Sequence, residues 1–355
     1  MDCCLATSSG SNARGLRSSE LVQFISSTSS KRLKLTLPKG SLETATFDIF
    51  QKAYYRISGH DRTYRPVISD RDIELKILRP QEIPIYVAEG MQDIGITGSD
   101  WIKETGAEVE QIQDLEYGHV RMVAAIPKRM PYASVNSLLE GVWSQGQRVR
   151  ISTEYLNIAS QYIKSIPEYK RRFGSEEPLI VTPWWKKGEN HKATIYLSFG
   201  ATEAKPPEDA DLIIEVTETG TSLEQNELKP IDTVLESTAQ LIANKQALAD
   251  SWKSEKIYDV LGLLKGVVEA RKRLHVFVNV REENLQELLN RLPALREPTI
   301  SPLSKKGWYA INTVVEKKQL LDLLPTLRRL AQGIVVHEPQ QVLSLEDLNN
   351  GRKNQ

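Results

Sequence analysis

Leu212-Ile-Ile-Glu-Val-Thr-Glu-Thr-Gly-Thr-Ser-Leu223 decides how this chain is read. Three aliphatic residues, Leu212 to Ile214, read as a buried strand, and Glu215 closes the run. A short loop of hydroxyls around one glycine follows. A carboxylate at a strand end can accept hydrogen bonds from ribose hydroxyls. The loop can turn backbone N–H groups and the Thr219, Thr221 and Ser222 hydroxyls onto one phosphate. A strand followed by a polar turn would explain the same residues, so the rest of the chain must choose.

Upstream, Leu33-Lys-Leu-Thr-Leu37 alternates like a strand, and Pro38-Lys39-Gly40-Ser41 turns it into a helix over 42–57. Strands are predicted at 73–78, 93–98, 120–126, 149–152, 179–182, 193–198 and 211–216. Helices are predicted at 80–90, 134–141 and 154–165. Such alternation argues for α/β layers. Pro183 to Asn190 is a loop with two tryptophans; a lid and a packed loop are both open, with packing favoured. Residues 235–270 read as mainly helical. Beyond Arg273 the order is strand, helix, two strands around Lys305-Lys306-Gly307, helix, strand. That βαββαβ order is the signature of a ferredoxin-like module.

Bulk properties exclude several classes. At 355 residues the chain should hold two or three domains. Lys plus Arg and Asp plus Glu both number 46, so no bulk field draws it to nucleic acid. No apolar run approaches the roughly 20 residues of a membrane span. Cys3 and Cys4 are the only cysteines, so the body holds no disulfide or thiolate metal site. His60, His119, His191, His275 and His337 lack metal-ligand spacing. Residues 1–30 carry nine serines and two acids, the composition of a disordered tail or of a plastid-type transit peptide. Location is therefore plastid if the segment is a transit peptide and cytoplasmic otherwise.

Further segments carry chemistry. Ser198 to Pro207 supplies a second carboxylate, Glu203. Two acids flanking a ribose can bind its hydroxyls or position Mg²⁺ on pyrophosphate through water. Leu37-Pro-Lys39-Gly-Ser41 is a phosphate seat at a strand-to-helix turn. Leu78-Arg79-Pro-Gln-Glu-Ile-Pro-Ile-Tyr-Val puts a cation at a strand end. Asp93-Ile-Gly-Ile-Thr-Gly-Ser-Asp100-Trp101 offers a carboxylate and an aromatic face to a purine.

With Arg150-Ile-Ser-Thr-Glu-Tyr155 and Pro298-Thr-Ile-Ser-Pro-Leu303, these motifs resemble, in order, the ATP phosphoribosyltransferase family over Leu33 to about Val342. The resemblance implies a two-lobed, periplasmic-binding-protein-like α/β catalytic region and a C-terminal, ACT-like βαββαβ domain, as in the long form. It divides the chain into residues 1–30, lobe I at 31–125 plus 244–270, lobe II at 126–243 and a regulatory domain at 271–355. It implies condensation of ATP with phosphoribosyl pyrophosphate (PRPP), with Mg²⁺, and inhibition by histidine. A homo-hexamer built from dimers is implied, without the separate regulatory subunit of the short forms.

By motif, Glu203, Glu215, Glu218, Thr219, Gly220, Thr221, Ser222 and Leu223 fall on the PRPP site. Lys39, Arg79, Asp100, Trp101 and Tyr155 fall where the family handles ATP and pyrophosphate. Lys39, Arg79, Glu203 and Glu215 are the catalytic candidates, and Thr299 is the effector candidate. The family usually has Asp where this chain has Glu215. A non-enzymatic small-molecule binding protein on the same two-lobed fold is the competing reading.

Overall fold

Leu33, Leu35 and Leu37 are fully buried, and so is Thr36 between them. The first strand is therefore covered on both faces, as a central parallel strand should be. In the computed structural model, which describes residues 31–292 and 298–344, it lies inside a five-stranded sheet. The order across that sheet is Ile73–Leu78, Leu33–Pro38, Ile94–Gly98, Ala239–Ala243, Glu110–Asp114. The first three strands run parallel. The last two are antiparallel to their neighbours. Helices Glu43–Lys52 and Ser251–Arg271 supply apolar faces to this core, including Ile49, Phe50, Ile257 and Leu264.

A second, seven-stranded sheet is ordered Lys186–Lys187, Pro178–Val181, Asn190–Leu197, Val149–Thr153, Leu212–Thr217, Val120–Pro127, Leu228–Ser237. Strands 149–153, 190–197 and 212–217 are parallel. Trp143, Tyr169, Ile195 and Leu212 lie in its separate core.

These are the two expected lobes, but strand pairing moves their limits. Val120–Pro127 pairs with Leu212–Thr217, so it belongs wholly to lobe II. Ala239–Ala243 pairs with Ile94–Gly98, so it belongs to lobe I. The chain crosses between lobes at 118–119 and at 238, not at 125 and 243. Residues 235–237 and 239–243 are strand rather than helix; a short apolar run does not reveal its period. Helix begins at Lys245. The polar strands 110–114 and 228–237 also escape the sequence reading.

The C-terminal module is as predicted. Strands Thr299–Pro302, Trp308–Glu316, Arg273–Arg281 and Ala331–His337 form one antiparallel sheet in that order. Helices Glu282–Leu289 and Leu320–Leu330 cover one face through Leu288, Leu323 and Leu327. The tail of the described chain packs back on lobe I, where Val342 N donates to Gly266 O at 2.9 Å. Among the described residues no helix is long and apolar enough to cross a membrane. The transit reading of residues 1–30 and the end of the regulatory domain lie outside the described residues.

Candidate functional site

In open α/β sheets ligands bind beyond the carboxyl ends of parallel strands. Six such ends meet here. In lobe I, strand 33–38 leads to Lys39 and Gly40, strand 73–78 to Arg79, and strand 94–98 to Asp100. In lobe II, strand 149–153 leads to Glu154 and Tyr155, strand 190–197 to the turn bearing Glu203, and strand 212–217 to the 218–223 loop.

The loop is open at its polar edge and anchored from behind. Gly220 has φ of 83°, a left-handed conformation that costs glycine little, and it starts the short helix Thr221–Gln225. Gly220 N donates to the Thr217 hydroxyl at 2.9 Å. Leu223 is buried against Val123, Ala125 and Ile213 and pins the loop to the sheet. Glu218, Thr219, Thr221 and Ser222 remain exposed. The Thr219 and Thr221 hydroxyls stand 2.9 Å apart, and Ser222 Oγ donates to Glu203 Oε1 at 2.8 Å. The acid and the loop, nineteen residues apart, therefore do form one surface.

Glu215 sits deeper. Burial pushes its carboxyl up to about 7; the Thr202 hydroxyl and the Val216 N–H, 2.9 Å away, pull it down, and Glu154 and Glu203 add repulsion. Glu154 is an acid absent from the sequence-derived site. Burial raises its pKa, the Gly200 N–H and the Gln81 side chain oppose this, and Glu203 reinforces it. Its position just after a parallel strand and before Tyr155 was the available signal. Among the described residues no group of three or more His, Cys, Asp or Glu side chains is placed to hold a metal ion.

On the lobe I wall, Lys39 Nζ pairs with Glu43 Oε1 at 2.8 Å. Arg79 is exposed, and a Cβ on Gly40 would stand 3.7 Å from its Nη1. The two cations thus share one turn. Asp100, Trp101 and Tyr155 are brought together, but against each other. Tyr155 Oη donates to Asp100 Oδ2 at 2.8 Å, and the Trp101 and Tyr155 rings stack at 4.3 Å. Burial, then the Asp100 carboxylate, raises the Tyr155 pKa, so this phenol stays a donor. One face of the Trp101 ring is covered by Tyr155, and the residue is half-buried.

Thr299 is exposed on the edge strand of the C-terminal sheet, in a different domain. Within the predicted loop at 183–190, Lys186–Lys187 is a strand paired with Pro178–Val181, and residues 182–185 form the tip of that hairpin, which packing does not describe. Trp184 is 72% exposed, touching Phe199 edge-on at 5.7 Å.

Fold and site together define a class: a two-lobed α/β protein with a hydroxyl-rich loop and carboxylates at strand ends, followed by a βαββαβ module. Known proteins agree. Residues 79–266 match the family model described as ATP phosphoribosyltransferase, and residues 270–339 match the model of its C-terminal domain. The ATP phosphoribosyltransferase of Thermodesulfovibrio yellowstonii is 39% identical over 319 residues, covering 88% of this chain and 99% of its own length. That of Chlorobaculum parvum is 38% identical over 323 residues, covering 89% and 99%. A solved ATP phosphoribosyl transferase (HisG:HisZ) complex from Thermotoga maritima superimposes with a TM-score of 0.50 at 25% identity, over 67% of this chain and 98% of that one. The chain belongs to the ATP phosphoribosyltransferase family, pentosyltransferases of histidine biosynthesis. The competing reading as a non-enzymatic binding protein falls with that membership. These bacterial relatives lend no support to a plastid location.

Proposed function

We propose that the cleft between the lobes joins N1 of ATP to C1 of PRPP, releasing pyrophosphate and N1-(5-phosphoribosyl)-ATP. The observation that carries this reading is the Ser222–Glu203 hydrogen bond, which makes one polar surface of the loop and the acid. In this reading Thr219, Thr221, Ser222 and the backbone N–H groups of 219–223 receive the 5′-phosphate. Glu203 and Glu215 take the ribose hydroxyls. The extra methylene of Glu215, relative to the usual Asp, is accommodated by folding the carboxylate back on the Val216 N–H.

The nucleophile is a ring nitrogen lone pair, and the C1–O bond breaks with its electrons passing to pyrophosphate. Such chemistry rests on positioning two polyanions and on stabilising the leaving charge. Lys39 and Arg79 stand on the opposite wall for that task. Mg²⁺ would enter with the pyrophosphate and share its charge, held through water by Glu203 and Glu215.

The C-terminal module is the seat of histidine inhibition in this proposal, with Thr299 at the effector site and a hexamer built from dimers as the working form. The match at 270–339 supports a long-form enzyme that acts without a HisZ-type partner. Pyrophosphate release measured with ATP plus PRPP, with and without histidine, tests the reading. Release should require both substrates and fall several-fold with histidine. Release from PRPP alone, or none at all, would refute the reaction; indifference to histidine would refute only the regulatory part.

A further inference from the structure

The long helix Ser251–Arg271 of lobe I carries a buried glycine, Gly266, in its interior. Glycine weakens a helix interior relative to alanine, so its place there needs a reason. The reason is Leu343. A Cβ on Gly266 would stand 2.7 Å from Leu343 Cδ2 and 2.8 Å from its Cγ, closer than carbon atoms pack. Beside that contact the Val342 N–H donates to the Gly266 carbonyl at 2.9 Å.

Residues 338–343 follow the last strand of the C-terminal module, yet they reach two helices of lobe I. Gln340 Nε2 donates to Lys52 O at 3.1 Å, and Gln341 Nε2 to Leu263 O at 3.4 Å. Lys52 ends the helix Glu43–Lys52, where carbonyls lack partners within the helix. At its near end the segment stays with the module, where Glu338 pairs with Lys317 Nζ at 2.8 Å. A cleft of about 470 Å³ separates the two bodies here, lined by Lys52 and Arg271 of lobe I, Lys317 of the module and Glu338, Pro339 and Gln340 of the segment. The segment therefore spans a gap. The module's other connection is the chain itself at 271–273, where Lys317 N donates to Lys272 O at 2.8 Å.

We propose that residues 338–343 are a strap that fastens the C-terminal module to lobe I at a second point, and that Gly266 is the seat that admits it. A domain held at one point can swing in any direction. Held at two, it is confined to rotation about the line through both. Gly266 and Lys272 lie six residues apart along one helix, roughly 9 Å. The strap is shallow: Leu343 is 38% exposed, and Gln340 and Gln341 each hold by one hydrogen bond. Contacts of that kind open well below global unfolding, so the strap can let go while both bodies stay folded.

The test compares the full chain with a chain ending at His337, each with and without Gly266→Ala. In the shortened chain Gly266→Ala should raise the melting temperature by about 1–3 °C, the ordinary effect in a helix. In the full chain that rise should vanish or reverse, and amide exchange at Val342 should quicken at least about tenfold, because an alanine and Leu343 cannot share the seat. Adding Leu343→Ala to Gly266→Ala in the full chain should bring the rise back, which keeps the seat testable should the shortened chain not fold. Unchanged exchange at Val342 in full-chain Gly266→Ala would overturn the seat. The second attachment is read from trypsin cleavage at the Arg271-Lys272-Arg273 junction. Cleavage should be at least about tenfold faster in the shortened chain, and faster by a smaller factor in full-chain Gly266→Ala. Rates equal to that of the parent would overturn the strap. No readout depends on turnover or on histidine, so the strap stands or falls apart from the proposed reaction.

Discussion

The loop Glu218–Leu223 and the helix Ser99–Thr105 both follow a strand end, and both are rich in carboxylates and hydroxyls. They use them in opposite ways. In the loop the polar atoms face outward, and their partners are one another: Thr219 with Thr221, Ser222 with Glu203. In the helix, Asp100 and Glu104 are buried and every carboxylate oxygen has a donor from elsewhere in the fold. A buried polar group must be paired, or it costs the fold its desolvation energy. A group meant for a ligand must stay reachable. The difference separates polar atoms left reachable from polar atoms bound into the fold, where residue type alone does not.

The sharpest way to break this comparison is to neutralise the acids on the open side. Glu203→Gln should lower turnover by about a hundredfold or more, with a melting temperature near that of the parent, since a charge-assisted contact to substrate is lost and little packing changes. Near-parental kcat/KM at saturating Mg²⁺ would remove Glu203 from the site.

Serines on the two sides give a matched pair. Ser222→Ala should weaken PRPP binding roughly ten- to a hundredfold, and ATP binding much less, from loss of one bond to a charged phosphate. Ser237→Ala leaves a buried oxygen of Asp100 short of a donor and should instead cost about 1–3 kcal/mol of stability. Calorimetric binding and denaturant unfolding of both variants check this. Equal loss of PRPP affinity in the two would erase the distinction.

The smallest effect concerns Glu215, whose carboxyl is pushed up to about 7 by burial, with Glu154 and Glu203 adding repulsion against the pull of Thr202 and the Val216 N–H. The folded protein holds this proton more tightly than the unfolded chain. Its contribution to stability is full below the ordinary carboxylate pKa of about 4.5 and is lost as pH rises through about 7. Glu215→Gln should therefore gain about 1–3 kcal/mol over the parent at pH 8 without ligands, and almost nothing at pH 4.5. A gain that is the same at both pH values would show that the side chain does not titrate as its surroundings require.

Much of this was legible in the chain. The leucine alternation at 33–37, the acid-and-hydroxyl loop at 215–223 and the βαββαβ order after Arg273 are local patterns. Strand period, turn chemistry and element order are carried by neighbouring residues, so sequence alone determined the two α/β lobes, the C-terminal module and the family. Sequence did not reveal the strand 239–243, because five buried residues fit a helix or a strand until a partner, here Ile94–Gly98, fixes the choice. Nor did it reveal the exposure of Trp184 or the place of Glu154.

Tertiary structure alone decided which polar side chains find their partners within the fold. Asp100 meets Ser237 across 137 positions and Tyr155 across 55; Glu104 meets Asn157 across 53. A carboxylate accepts a hydrogen bond from a ribose, a phenol or a helix amide with the same chemistry, and its sequence neighbours do not say which will arrive. That choice is made when the lobes pack and water is excluded, because burial then requires each donor and acceptor to find its partner.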